Sequence, residues 1–155
     1  MPVEARYFYD SPLGRLHLSF AQEQCCALEY EPDASQDFVA ALPAGATRRW
    51  LDDYFAAKNP SARPPFDIPG TLFQQSVYRL MLQIPYGQTL SYGAAAHRLG
   101  SAARAVGQAC RRNPMPVLIP CHRIVAKHDI GGYEGSTGGH RLDRKKWLLA
   151  LESGH

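Results

Sequence analysis

Cys121 lies within "NPMPVLIPCHRIV", Asn113 to Val125, and is followed directly by His122 and Arg123. A cysteine reacts as its thiolate, so a chemically useful thiol needs a base or a cation nearby. His122 and Arg123 supply one of each. Adjacent residues on an extended chain point apart, so direct contact between histidine and thiol does not follow from their adjacency, and a bridging water is the alternative. A single cysteine in an apolar run more often ends as an inert packed thiol, and such a histidine as a satisfied core group. These residues alone leave that choice open. Zinc needs four ligands, and Cys110, Cys121, His122 and His128 lack paired C-x-x-C spacing, so no metal is expected.

A second constellation precedes the first. "SYGAAAHRLG" and "SAARAVGQACRRN" read as two short helices joined by Gly100-Ser101, which suggests a helix-turn-helix. The second, Ala102 to about Arg112, carries Ala102, Ala103, Ala105, Val106, Gly107 and Ala109. Such a smooth face lets a backbone come close to a partner, while Arg104, Arg111 and Arg112 give it reach to phosphates and bases. Small residues equally serve helix packing in a core.

These residues need a scaffold. "RYFYDSPLGRLHLSF" reads as a β-hairpin about the Ser11-Pro12-Leu13-Gly14 turn, and "QCCALEYEP" as a third strand ended by Pro32. "TRRWLDDYFAAKNP" reads as a helix that Thr47 can cap. Four prolines in "NPSARPPFDIPG" mark an extended connector, dividing the chain into 1–65 and 66–155. Thr71 is expected to cap a helix to about Gln83, Ser91 and Ser101 the two short helices, and Gly100 to end the first of these. "VLI" reads as a short buried strand, "RIVA" as its extended continuation, and "HDIGGYEGSTGGH" as a glycine-rich loop. A last amphipathic helix runs from about Leu142 to Glu152.

The bulk numbers set bounds. The 155 residues, 45% hydrophobic and 20% charged, fit one unit or two small ones with a real core. Residues 1–70 hold six Lys/Arg and ten Asp/Glu; residues 71–155 hold eleven and four. The basic half is where an anionic partner such as nucleic acid would dock. No apolar run nears the ~18 residues of a membrane span and no leader is visible, so a protein of the cytoplasm, or of the nucleus in a eukaryote, with no membrane partner is expected. Its four cysteines are then expected to stay reduced.

Taken together, "NPMPVLIPCHRIV", with "AARAVGQA" before it and "WLLALE" after it, resembles the O6-alkylguanine-DNA alkyltransferase family (methylated-DNA–protein-cysteine methyltransferases). The resemblance is strong from about Gly70 to Glu152 and looser through "DSPLGRLHLSF". It implies an α+β fold, in which an N-terminal antiparallel, ribonuclease H-like sheet precedes a mostly helical DNA-binding part with a helix-turn-helix. It also implies a role for each matching residue. Cys121 would accept the alkyl group, His122 would act through a water as its base, and Glu152 would hold the histidine's tautomer. Arg104, beside Ala103, would enter the duplex as an arginine finger, with Arg111 and Arg112 on the DNA. Tyr92 would turn out the nucleotide and help protonate the departing guanine, Asn113 would brace the turn behind the cysteine, and Ile124 and Tyr133 would line the pocket. The expected partner is double-stranded DNA containing O6-alkylguanine, and O4-alkylthymine is a further candidate lesion. A monomer in solution is expected, with cooperative binding along DNA as a further candidate property, and no cofactor.

Two features depart from the family pattern: the short Gly100-Ser101 join, and the long "YEGSTGGHRLDRKKW" with Glu134 near the pocket mouth. Rival readings fit less. A cysteine hydrolase leaves Arg104 and its smooth helix unexplained, and a transcription factor leaves "PCHR" unexplained. A non-catalytic lesion-binding relative is the nearest alternative, and Cys121 itself argues against it.

Overall fold

The computed structural model describes residues 3–30, 40–60, 62–127 and 139–154. The chain divides into two compact units, Met1–Ile68 and Pro69–His155. The prolines had placed the division three residues earlier, after residue 65.

In the first unit, strands β1 (Ala5–Ser11), β2 (Gly14–Ala21) and β3 (Gln24–Tyr30) form an antiparallel meander. The β1–β2 turn closes on Ser11, whose hydroxyl donates to the Gly14 carbonyl at 2.7 Å, while Gly14 takes a φ of +103° that suits glycine. A two-residue strand, β4 (Ala40–Ala41), adds to β1 in parallel, giving the order β3-β2-β1-β4. Helix α1 (Ala46–Phe55) buries Trp50, Leu51 and Tyr54. Its outer edge is tied to the sheet by the Tyr9 hydroxyl, which donates to Asp52 at 2.7 Å. Thr47 is not the cap expected of it: the helix starts at Ala46 behind Gly45, so Thr47 falls inside the first turn and is buried.

The second unit is mostly helical. Helix α2 (Leu72–Gln83) opens with a full capping box, in which the Thr71 side chain accepts from the Gln74 amide and the Gln74 side chain accepts from the Thr71 amide. Val77, Tyr78, Leu80 and Met81 form its buried stripe. Strand β5 (Leu90–Ser91) leads directly into α3 (Tyr92–Leu99), which the Ser91 side chain caps by accepting from the Ala94 amide. Gly100 ends α3 in the left-handed conformation.

Helix α4 (Ala103–Arg111) is capped at Ala102 with no side-chain bond, so Ser101 does not cap it. Ser101 instead closes α3, donating its amide to the Ala96 carbonyl at 2.9 Å. Three residues, Gly100 to Ala102, therefore join the two helices. Strand β6 (Ile124–Val125) pairs in parallel with β5, and α5 (Gly139–Ser153) ends the described fold.

The expected "VLI" strand is absent. Residues 113–120 make a tight turn, buried from Met115 onward, in which the Ile119 amide bonds the Met115 carbonyl at 2.8 Å. Pro114, Pro116 and Pro120 have no N–H to give a ladder, which is why the apolar run coils instead of pairing. Losing the Thr71 cap should cost about 1 kcal/mol. Thr71→Ala is accordingly predicted to lower the urea midpoint by that equivalent with an unchanged slope.

Candidate active site

The site is assembled on the turn that precedes Cys121. Asn113 braces it from both sides: its side-chain amide donates to the Ile119 carbonyl at 2.8 Å and its oxygen accepts from the Met115 amide at 3.0 Å. Val117, 1% exposed, is held at φ +77°, a conformation costly for a β-branched residue. The Cys121 amide bonds the same Ile119 carbonyl at 2.8 Å. The brace behind the cysteine and the backbone of the cysteine thus share one acceptor.

Cys121, His122 and Arg123 form a single 3-10 turn, not extended chain. At about three residues per turn their side chains fan out around it. Cys121 is 4% exposed, and His122 and Arg123 are buried as well. The Cys110 thiol, at the end of α4, is pushed above its ordinary value by burial, with the nearby Cys121 adding to the shift.

His122 and Arg123 both turn to Glu152, near the end of α5. His122 Nε2 lies 2.5 Å from Glu152 Oε2. Arg123 donates from Nε to Oε1 at 2.8 Å and from Nη2 to Oε2 at 3.1 Å, and from Nη1 to the Ile84 carbonyl at 2.7 Å. The Gly87 amide donates to Oε1 at 3.2 Å. Burial by itself would push the Glu152 carboxyl up, but the bonds and charges of His122 and Arg123 outweigh it and hold it well below the usual carboxylate range. Burial pushes His122 down, and the Arg123 and Lys145 charges add to this against the pull of Glu152. The pair is therefore a carboxylate and a neutral imidazole at neutral pH. The carboxylate accepts from Nε2–H, and Nδ1 on the opposite edge of the ring is the basic nitrogen.

Lys145 on α5 is fully buried and donates to the Ile124 carbonyl at 2.8 Å. Its ammonium stands 5.7 Å from the centre of the Tyr92 ring. The β5–β6 pairing sets this arrangement, because Ser91 opposite Val125 fixes where Tyr92 begins α3. On α4, Val106 and Ala109 face inward while Ala103, Arg104 and Arg111 are exposed, as is Arg112 just past its end.

A neutral histidine on a buried carboxylate, beside a thiol and next to a helix pair with an exposed arginine face, suits nucleophilic chemistry on an anionic polymer. Residues 72–154 match the family described as 6-O-methylguanine DNA methyltransferase, DNA binding domain. The chain is also 40% identical to the methylated-DNA–protein-cysteine methyltransferase of Mycobacterium leprae, over 92% of this chain and 88% of that protein. The chain belongs to the methylated-DNA–protein-cysteine methyltransferase family.

Within that family it is also 40% identical to the constitutive enzyme of Bacillus subtilis, over 92% of each chain. The crystal structure of Mycobacterium tuberculosis O6-methylguanine methyltransferase matches with a TM-score of 0.81 at 32% identity, covering 96% of this chain and 92% of that one. A complex of M. tuberculosis OGT with DNA matches at 0.80 and 33%, covering the same shares.

Of the residues expected from sequence, Cys121, His122 and Glu152 gather at one place, Asn113 braces from behind, and Arg104 stands on the open face of α4. Ile124 is wholly buried and contributes its carbonyl. His128, Tyr133 and Glu134 lie outside the described residues. Arg123 was expected as a cation for the thiol; instead it pairs with Glu152. Lys145 and the Gly87 amide were not anticipated. Lys145 sits at i, i+3 and i+7 with Leu148 and Glu152, and that shared helical face was the available signal.

Because His122 is depressed on folding, the unfolded chain binds its proton first as pH falls. The stability tied to a neutral His122 is complete above its ordinary value of 6.5 and is lost below it. Urea titrations are predicted to show stability falling as pH drops below 6.5, with a shallower fall in His122→Asn.

Proposed function

We propose that this protein is a single-use DNA repair transferase that moves the alkyl group of O6-alkylguanine in double-stranded DNA onto Cys121. The observation that carries this reading is the buried His122–Glu152–Arg123 network built on the same 3-10 turn as the cysteine.

The lesion's alkyl carbon is shielded within a base stack, so the nucleotide must leave the helix, at a cost of a few kcal/mol. Arg104, on the exposed face of α4, takes the space the base leaves, and Arg111 and Arg112 hold phosphates. Inside the site, His122 Nδ1 takes the thiol proton through a water, while Glu152 accepts from Nε2–H and stabilises the imidazolium as it forms. The thiolate attacks the alkyl carbon in line; a carbon–sulfur bond forms as the carbon–O6 bond breaks. Guanine leaves with the electron pair and takes a proton from Tyr92, whose ring lies close to the Lys145 ammonium. Among the described residues no group is poised to cleave the thioether, so one chain acts once. The lesion-binding alternative gives the thiol no task, and the histidine–carboxylate network suits proton removal.

Incubation with O6-methylguanine duplex should add the mass of one methylene (a methyl replacing the thiol hydrogen) to the peptide containing Cys121, once per chain. Repeated turnover, or labelling at Cys110, contradicts the reading. Cys121→Ser should abolish transfer and keep DNA binding. Arg104→Ala should slow reaction with duplex lesions far more than with free O6-benzylguanine, which needs no flipping; equal loss in both assays argues against the finger role. Since the base is a depressed histidine, transfer to free O6-benzylguanine should hold its rate as pH falls to 6.5 and decline only below it.

A further inference from the structure

The turn between α2 and β5 meets the catalytic network at several points. The Ile84 carbonyl, at the end of α2, accepts from Arg123 Nη1 at 2.7 Å. The Tyr86 ring lies 5.8 Å from the Arg123 guanidinium, and the Tyr86 hydroxyl reaches the Leu151 carbonyl at 3.5 Å. The Gly87 amide donates to Glu152 Oε1 at 3.2 Å. One short segment thus touches both the carboxylate and its arginine partner.

Its geometry depends on glycine. The Gln88 amide bonds the Pro85 carbonyl at 3.0 Å, which closes a four-residue turn with Gly87 third and at φ +80°. That position with positive φ is the one that demands glycine in a type II turn. A Cβ on Gly87 would also stand 3.1 Å from the Glu152 carbonyl oxygen. That contact is tighter than ordinary packing, and its partner is helix backbone that has no rotamer to change. Gly87 therefore lets the turn lie directly against the residue that orients His122.

The carboxylate shows what the contact supplies. With Arg123 Nε and the Gly87 amide on Oε1, and His122 Nε2 and Arg123 Nη2 on Oε2, each oxygen receives at least two donors. A carboxylate offers about four lone-pair sites, so these donors match its capacity. Arg123 alone holds both oxygens but leaves the carboxylate free to tilt about that fork. The main-chain amide fixes the side of the carboxylate away from His122.

We propose that Gly87 is a positioning residue for the transfer reaction: its amide fixes the Glu152 carboxylate, and through it the Nε2–H tautomer of His122. This rests on the transferase reading for its link to rate, but not for its link to the histidine.

Gly87→Ala is the direct test, measured in two ways. Single-turnover transfer from free O6-benzylguanine should slow by about 10- to 100-fold, the scale of a sub-ångström to 1 Å misplacement. Long-range nitrogen–proton correlation spectra should show His122 leaving the pure Nε2–H form that the wild-type chain displays. Gly14→Ala is the matched control: Gly14 is also at positive φ, +103°, but has nothing within 4 Å of an added Cβ. It should keep the wild-type rate and the wild-type His122 signals. An unchanged His122 tautomer in Gly87→Ala, or an equal loss of rate in both variants, overturns the proposal. A wild-type chain that transfers no alkyl group overturns the function instead and leaves the spectral test standing. Should Gly87→Ala not fold, the wild-type amide decides. Gly87 is exposed, so an unbonded amide exchanges with solvent quickly. Strong protection supports the bond to Glu152, and exchange at the unprotected rate overturns it.

Discussion

A carboxylate with 1% of its side chain exposed must find inside the protein what water would have given it, and Glu152 is that carboxylate. Arg123 supplies the countercharge in a forked pair and His122 a hydrogen bond. Breaking a buried pair of this kind by removing one partner costs about 3–5 kcal/mol, because the other charge is left stranded. The second unit is therefore built so that three separate segments arrive together: the 3-10 turn at Cys121, the end of α5, and the turn after α2. The same requirement sets the chemistry. A carboxylate that cannot be protonated near neutral pH fixes the imbalance in its histidine, leaving the far nitrogen basic.

The surrounding strain has the same purpose. Val117 is held at positive φ and the prolines deny the preceding segment a ladder, yet the Asn113 side chain closes the turn at both ends. Outliers of this sort persist only where neighbours over-determine them. Here the fixed object is the backbone at Cys121, whose amide shares the Ile119 carbonyl with the Asn113 side chain. The in-line attack proposed for the thiol would tolerate little angular freedom, and a rigid floor suits it.

Much of this was legible in the sequence, for local reasons. Thr71 and Ser91 cap the helices they precede, Gly100 ends one, and the β1–β2 turn follows from Ser11 and Gly14, since each effect acts within a few residues. The failures were also local choices, decided by neighbours out of sight. Ser101 was claimed by the end of α3, and Thr47 by the burial of α1. "VLI" has strand composition, but its flanking prolines and Asn113 made it a turn. In the site, the family resemblance pointed to Cys121, His122 and Glu152, which the fold brings to one place, while Arg123 pairs with Glu152 and not with the thiol, because sequence adjacency says nothing of direction on a 3-10 turn. The Gly87 amide was invisible for a simpler reason: a main-chain donor leaves no mark on composition.

The central claim is that Glu152, through His122, makes Cys121 reactive. Its most direct test is the single-turnover rate of alkyl transfer from free O6-benzylguanine in Glu152→Gln, with circular dichroism confirming that the fold is kept. The expected result is a folded chain that still contains Cys121 but transfers about 10²- to 10⁴-fold more slowly, the usual contribution of positioned acid–base catalysis. A folded variant that alkylates Cys121 at the wild-type rate would contradict it.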